Sequence, residues 1–247
     1  MASGSFDVPR YIASLPLFEG MSADELERLA KGCRLHRYVR GESVFRVGEP
    51  CEEFHVTVTG QIKLIATSPD GQEKVIELLG PGCTFAEALM FCNLSYIVGA
   101  EALGDTLLLS IGRAVVVAEI ERNPAFALRL LAYISRRLHS LVYDVQCYTL
   151  HNGLRRVVDY LLRDSGEPDI LPVRGRGCSR PCAHAGKAEA IRVSLPVSKA
   201  TIASRLSLTP EYFSRMLHEL EDAGMICVDK RDIFIPDPQR LADYPQG

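Results

Sequence analysis

One stretch near the C-terminus, residues 207–224 (SLTPEYFSRMLHELEDAG), carries its own start and stop signals for a helix. Thr209 is a good N-cap, Pro210 suits the first helical position, and Gly224 suits the position just past the end. Apolar residues at helical spacing define an inner face, which comprises Phe213, Met216, Leu217 and Leu220. The pattern predicts a short helix that packs by one face against a folded domain.

The other face of this helix is polar, and it comprises Glu211, Ser214, Arg215 and His218. In a DNA major groove a glutamate can accept from the cytosine amino group, and an arginine can donate twice to guanine. Glu211 and Arg215 could therefore read one G·C pair jointly. The alternative is an exposed ion pair between them, worth about 0.3 kcal/mol. Further candidate DNA contacts are Thr209, Lys199 and His218, although His218 could equally be a solvated residue.

The flanking sequence supplies the remaining parts of a winged helix-turn-helix. Residues 197–206 predict a second amphipathic helix capped by Ser198, and Ser207 with Leu208 leave the tight turn that the motif requires. Apolar runs at 225–228 and 233–235 predict a hairpin, or wing. This context favours DNA binding over the ion-pair alternative.

Charge supports the same interpretation locally. The whole chain has 28 Lys and Arg against 31 Asp and Glu, but residues 155–215 hold eleven basic and six acidic residues. Phosphate attraction is therefore expected in this part of the chain.

Residues 36–109 predict a small β-rich domain. Short strand-like runs are separated by glycines about every ten residues, which is typical of a jelly-roll or barrel. Asp70-Gly71 and Gly48-Glu49-Pro50 are turn signals within it. A short helix is predicted before it, at 22–32, where Ser22 and Glu25 can form a capping box.

Residues 123–152 predict a long helix with apolar residues three and four positions apart. This seam comprises Leu131, Ile134, Leu138, Leu141, Val145 and Tyr148. It favours dimerisation, because a DNA reader with one short helix gains affinity and site length from two-fold pairing. The alternative is a single helix that packs on its own β domain.

The resulting fold class is α+β, with a β-roll (double-stranded β-helix, jelly-roll) sensor domain at 1–122, a dimerisation helix at 123–152 and a winged helix-turn-helix domain at 153–247. The composition of the 247 residues, 47% hydrophobic and 24% charged, is that of a folded globular protein. Neither a signal peptide nor a membrane span fits the sequence, so we expect a cytoplasmic protein. Phosphate-loop, nucleophile-elbow and paired-histidine metal motifs are all missing, so we expect no enzymatic activity.

The order of β-roll, long helix and winged helix resembles the Crp/Fnr family of bacterial transcription regulators. The residues that carry the resemblance are Gly41-Glu42, Gly48-Glu49 and Thr59-Gly60-Gln61-Ile62-Lys63 in the roll, and 155–162 (RRVVDYLL) at the start of the DNA domain. Glu211, Ser214 and Arg215 match the Glu-x-x-Ser-Arg pattern of the Fnr-type branch. The resemblance implies a cyclic-nucleotide-binding-like domain and a homodimer on double-stranded DNA. It also implies TTGA-N6-TCAA-like inverted repeats as sites and RNA polymerase as a partner.

Two effectors of the family fit this sequence poorly. The family's cyclic-nucleotide cassette has Gly-Glu followed by Arg-Ser or Arg-Thr, whereas this chain has Phe85-Ala86-Glu87-Ala88 and no Lys or Arg between Lys74 and Arg113. A buried phosphate would lack a cation there, which argues against cyclic AMP. The first 32 residues contain no cysteine, which argues against an Fnr-type iron–sulfur cluster.

The segment 82–91 (GCTFAEALMF) resembles the Dnr subgroup, regulators of denitrification that respond to nitric oxide. That resemblance implies an activator with a haem, sensing nitric oxide or low oxygen, in a pocket for which the candidates are Phe85, Glu87, Leu89, Met90, Phe91 and His139. The alternatives are an ordinary apolar core, and a redox- or other small-ligand-sensing regulator without haem. None of the six histidines carries a haem motif, and His55 and His139 could simply be hydrogen-bonded or exposed.

An unusual insertion, residues 173–187 (VRGRGCSRPCAHAGK), interrupts the DNA domain. Cys178, Cys182 and His184 are weak metal candidates, because zinc normally needs a fourth ligand and tighter paired spacing. The alternatives are a mobile basic loop, and a redox dithiol whose thiol pKa the neighbouring arginines lower.

Overall fold

The structure, a computed structural model, describes residues 6–163, 169–170 and 191–244. The insertion at 173–187, with Cys178, Cys182 and His184, lies outside the described residues. The chain divides into two compact units, Met1–Leu141 and Val142–Gly247. The boundary falls inside one continuous helix, and the predicted three-part division stays a prediction.

The first unit opens with short helices. They are α1 (Val8–Ala13), a single 3-10 turn (Pro16–Phe18) and α2 (Ala23–Ala30). The predicted capping box at α2 is confirmed: Glu25 donates its backbone N–H to Ser22 Oγ, and Ser22 donates its own to the Glu25 carboxylate at 2.6 Å. These two bonds satisfy backbone donors that the first helical turn leaves unpaired.

A β-roll follows, built from short antiparallel strands. Its strands are β1 (Cys33–Tyr38), β2 (Ser43–Phe45), β3 (Glu53–Thr59), β4 (Ile62–Thr67), β5 (Glu73–Leu79), β6 (Thr84–Phe85), β7 (Gly99–Ala102) and β8 (Thr106–Gly112). One sheet has the order β1-β8-β3-β6 and the other β2-β7-β4-β5. The predicted turn at Asp70-Gly71 joins β4 to β5, and Gly71 has a φ of 84°.

Both sheets contribute side chains to one apolar core. Phe54 and Val56 of β3, Leu109 of β8, Ile62 of β4 and Ala102 of β7 are all fully buried in it. Each large apolar side chain removed from water contributes about 2 kcal/mol. Three helices complete the unit's order: α3 (Glu87–Cys92), α4 (Arg113–Arg122) and the start of α5 (Pro124–Leu150).

The second unit contains the last turns of α5 and a winged helix. Its further elements are α6 (Gly153–Arg163), β9 (Asp169–Ile170), β10 (Ile191–Ser194), α7 (Lys199–Arg205), α8 (Pro210–Asp222), β11 (Cys227–Asp229), β12 (Asp232–Ile235) and α9 (Pro238–Ala242). The sheet has the order β11-β12-β10-β9, so the predicted wing is the β11–β12 hairpin. The predicted α+β architecture of roll, long helix and winged helix-turn-helix is thereby confirmed.

Within the described ranges, no helix combines the length and the apolar character that a membrane crossing requires.

Candidate nucleic-acid interface

The predicted helix at 207–224 is α8, and its ends lie where the sequence signals place them. Thr209 Oγ1 accepts the Tyr212 backbone N–H at 3.2 Å, Pro210 is the first helical residue, and Gly224 has a φ of 69° just past the end. The inner face is buried throughout, and it comprises Phe213, Met216, Leu217 and Leu220. That burial fixes the rotation of the helix and directs its polar face outward.

The outward face presents the predicted readers of DNA bases. Glu211, Arg215 and His218 are exposed, and Ser214 is half-buried. The ion-pair alternative does not hold in the described part of the chain: no salt bridge joins Glu211 to Arg215, and the Arg215 guanidinium carbon lies 4.7 Å from the centre of the Tyr212 ring. Both charged groups therefore remain available to a base pair.

The turn between α7 and α8 is held by backbone bonds and by one arginine. Ser198 caps α7 by accepting the Thr201 N–H at 3.1 Å, as predicted. Ser207 takes a left-handed φ of 57°, and the N–H of Leu208 donates to the Ala203 carbonyl at 2.9 Å. Arg156 of α6 donates to the Leu206 carbonyl at 2.8 Å, which ties α6 to this turn.

Two more of the predicted DNA contacts lie at the helix starts. Thr209 is exposed at the start of α8, and Lys199 is half-buried at the start of α7. Helix N-termini present unpaired N–H groups and a partial positive charge, so both positions suit a phosphate.

Sequence reasoning missed the contact between Gly153 and Tyr212. A Cβ atom added to Gly153 would lie 2.4 Å from Tyr212 Cε1, so only glycine leaves room for the ring there. Tyr212 in turn carries the Arg215 guanidinium on its face. Nothing in the local sequence pattern indicates this contact, because Tyr212 lies far from Gly153 along the chain.

In the first unit, most of the predicted effector residues lie together. Phe85 and Met90 are fully buried, Glu87 is buried, and Leu89 and Phe91 are half-buried against the same core. His139 does not join them: it is exposed on α5, and its Nδ1 lies 3.1 Å from the Ser135 carbonyl of its own helix. In the single chain its ring lies on the helix surface, and its place among the pocket residues stays a prediction.

His55 is the buried histidine of this core, and both its ring nitrogens are engaged. Nδ1 lies 2.8 Å from Ser110 Oγ and Nε2 lies 3.3 Å from Tyr96 Oη, so the hydrogen-bonded interpretation is confirmed. Burial disfavours the imidazolium and lowers the pKa of His55 to about 4. Among the described histidines of this unit, His55 is buried with both ring nitrogens hydrogen-bonded, whereas His36 and His139 are exposed.

Sequence reasoning also missed Arg137, which reaches the Phe85-Ala86-Glu87-Ala88 segment from α5. It donates to the Thr84 carbonyl, to Glu77 Oε2 at 2.7 Å and to Glu87 Oε1 at 3.2 Å. The expectation that this segment meets no cation is therefore corrected. The sequence gives no local signal for this contact, because Arg137 lies 50 residues from Glu87 along the chain.

The charge around Arg137 still disfavours a phosphate. One guanidinium faces two carboxylates, Glu77 and Glu87, so the group carries a net negative charge. Burial by itself lowers the pKa of Arg137. The two carboxylates together raise it by more, so the pKa lies above its ordinary value. The second carboxylate oxygen of Glu87, Oε2, is buried and has no hydrogen-bond partner among the described residues.

Comparison with known proteins finds a match for each of the two units. A cyclic nucleotide-binding domain model matches residues 35–123, and a Crp-like helix-turn-helix domain model matches residues 155–244. The solved structure of DNR from Pseudomonas aeruginosa is 34% identical, covers 96% of this chain and 96% of that chain, and has a TM-score of 0.49. FixK2 from Bradyrhizobium japonicum is 23% identical with a TM-score of 0.70, over 87% of this chain and 98% of that chain. A CRP-like cAMP-activated global transcriptional regulator of Mycobacterium tuberculosis is 22% identical over 231 residues, which are 94% of this chain and 96% of that protein.

A β-roll unit, a long helix and a winged helix with an outward polar face on α8 define a DNA-binding transcription regulator. The cyclic nucleotide-binding match precedes the helix-turn-helix match along the chain. The chain belongs to the Crp/Fnr family.

Proposed function

We propose that this protein binds TTGA-N6-TCAA-like inverted repeats as a homodimer, with one α8 helix in each half-site. The observation that carries the proposal is the face of Glu211, Ser214 and Arg215 on a helix whose other face is buried. Glutamate and arginine one helical turn apart suit the amino group of cytosine and the two acceptors of guanine. The neighbouring N-termini of α7 and α8 suit the flanking phosphates.

The α5 seam supports pairing of two chains. In the single chain Leu131 is 60% exposed, Leu138 is 58% exposed and Val145 is 60% exposed. Leu141 is also exposed, whereas Ile134 and Tyr148 are half-buried. About half of each leucine is exposed, so its burial against a second copy would contribute about 1 kcal/mol, which favours the pairing of two α5 helices.

The operator proposal is tested by fluorescence anisotropy with the inverted repeat and with a duplex carrying altered half-sites. Arg215→Ala should cost about 1–3 kcal/mol per half-site and relax the preference for the G·C pair. Arg240→Ala, at an exposed position of α9, is the matched control and should keep the preference. An Arg215→Ala variant with undiminished site preference would contradict the proposal.

We propose further that the regulator is an activator that contacts RNA polymerase, and that effector binding favours one geometry of the dimer. A ligand shifts such an equilibrium only by binding one state more tightly than the other. The resemblance to Dnr regulators suggests nitric oxide or low oxygen, sensed through haem, in a denitrification circuit.

An effector other than haem is the second candidate, and one observation favours it. Glu87 Oε2 is buried without a partner beside Arg137 and Thr84, so a small ligand with a hydroxyl or amine could donate to it. If His55 were the ligand of a haem, it would have to give up one of its two hydrogen bonds.

Absorption spectra of the purified protein distinguish these two effectors. Added haem followed by nitric oxide should produce and then shift a Soret band if haem is the cofactor, and His55→Gln should weaken the band if His55 is the ligand. A flat response to both additions would remove the haem proposal and leave the operator proposal intact.

A further inference from the structure

Three potential metal ligands meet where the last turn of α5 faces α6. Cys147 and His151 are four residues apart, and the His151 N–H donates to the Cys147 carbonyl at 3.2 Å, so helical geometry continues through both. Asp159 projects from α6 towards them. One sulfur, one imidazole nitrogen and one carboxylate oxygen lie within 4.8 Å of one another.

The donor set is that of a borderline-soft divalent cation. Zinc takes cysteine sulfur, histidine nitrogen and aspartate oxygen together, with metal–ligand distances of about 2.0–2.3 Å. A spacing of i and i+4 places two ligands on one helix face, as zinc sites on helices require. Three protein ligands leave a fourth position for water.

Nearby groups would orient these ligands. His151 Nδ1 lies 2.8 Å from Asp159 Oδ2, and Arg155 Nε lies 2.9 Å from Asp159 Oδ1. The arginine therefore holds one carboxylate oxygen and directs the other towards the imidazole. Such outer partners fix the orientation of metal ligands.

The cluster is mostly buried but remains partly exposed, so a metal ion could exchange between the cluster and solvent. Cys147 is a free cysteine and is buried, and the Asp159 side chain is 12% exposed. The His151 side chain is 29% exposed, which leaves a path from solvent to the cluster.

We propose that Cys147, His151 and Asp159 bind one zinc-like divalent metal ion at the α5–α6 joint. The ion would replace the hydrogen bond between His151 and Asp159 with two metal bonds, and the proton on His151 Nδ1 would leave for solvent while Nε2 keeps or takes up a proton. The thiol of Cys147 would lose its proton to solvent and bind as the thiolate. One ion would thus link the end of α5 to the middle of α6.

Contacts within the same unit connect the α5–α6 joint to the polar face of α8 that carries Glu211, Ser214 and Arg215. Gly153 begins α6 two residues after His151 and packs against Tyr212, whose ring carries the Arg215 guanidinium. Arg156 of α6 bonds the turn before α8. A metal that holds α6 in this position should raise operator affinity, a consequence that rests on the proposed function.

Cobalt titration of the reduced full-length protein tests the site without reference to DNA. Cobalt bound through a thiolate gives a sulfur-to-metal charge-transfer band in the near ultraviolet, and one equivalent per chain is expected. Cys147→Ser should abolish the band, and His151→Gln should weaken cobalt binding at least about tenfold. Cys92→Ser and His36→Gln, at exposed positions outside the cluster, are matched controls and should change nothing.

Two further comparisons keep the result decisive. Cys178→Ser/Cys182→Ser should retain the band, and a band that disappears in this variant but persists in Cys147→Ser overturns the proposal. If Cys147→Ser does not fold, His151→Gln alone decides, and unchanged cobalt affinity then overturns the proposal. Operator anisotropy with zinc and with a chelator is measured separately, so loss of the metal site and loss of operator binding are distinguished.

Discussion

At the scale of single residues, His55 couples the stability of the β-roll to pH. Its pKa is about 4 in the folded chain because burial disfavours the charged ring, against about 6.5 in an unfolded chain. The unfolded state therefore binds the proton first, and stability falls as the pH drops from about 6.5 towards 4. The expected loss between about pH 7 and about pH 5 is about 2 kcal/mol.

Urea unfolding at several pH values checks this expectation. His55→Gln should be less stable than the wild type near neutral pH, and the gap should narrow at pH 5 because the variant lacks the linkage. His36→Gln, at an exposed position of β1, should follow the wild type in parallel. A gap of constant size would show that His55 does not titrate in this way.

Ala86 is a second residue with a conformational cost. It takes a φ of 70° just before α3, a left-handed conformation that costs an L-residue about 1 kcal/mol and that glycine adopts freely. Ala86→Gly should therefore raise the free energy of unfolding by up to about 1 kcal/mol, after allowance for the greater freedom of glycine when unfolded. Ala88→Gly, inside α3, should lower it by about 0.5–1 kcal/mol. Thermal unfolding in which both variants shift the same way would contradict this assignment.

At the scale of elements, predictability follows from where the determining contacts lie. Helices α2, α7 and α8 carry their capping residues within a few positions, so their boundaries follow from the sequence. The β4–β5 hairpin likewise has its turn signal between its strands.

Features that depend on distant residues escape such reasoning. The bonds from Arg137 to Glu77 and Glu87 span 60 and 50 residues, and no local periodicity indicates them. The short helix α3 has no side-chain cap, and it begins after a left-handed alanine that propensity disfavours. The exclusion of a side chain at Gly153 is visible only once Tyr212 lies against it.

The contact between Gly153 and Tyr212 yields a prediction for helix α8. Gly153→Ala places a methyl group 2.4 Å from Tyr212 Cε1, so the ring must move and carry Arg215 with it. Overpacking of this kind costs about 1–3 kcal/mol in stability, and operator affinity should fall as well. In a double-mutant cycle, Tyr212→Ala should restore stability to Gly153→Ala but leave operator affinity low. Gly104→Ala, where a Cβ meets nothing within 4 Å, is the control, and additive effects of the pair would refute the coupling.

At the scale of the whole molecule, we expect the exposed seam of α5 to determine whether the α8 helices of two chains bind DNA together. Leu138 is 58% exposed in the single chain, so Leu138→Glu leaves the fold of either unit unaffected while it places like charges between paired helices. We expect a monomer by analytical ultracentrifugation and a loss of operator affinity of at least about tenfold, because only one half-site is then bound at a time. Ser140→Glu adds the same carboxylate to the same helix at an exposed position outside the seam, and it should remain dimeric with normal affinity. A Leu138→Glu protein that stays dimeric would place the dimer contact elsewhere. A monomer that binds the full operator as tightly as the wild type would instead show that one α8 helix suffices for recognition.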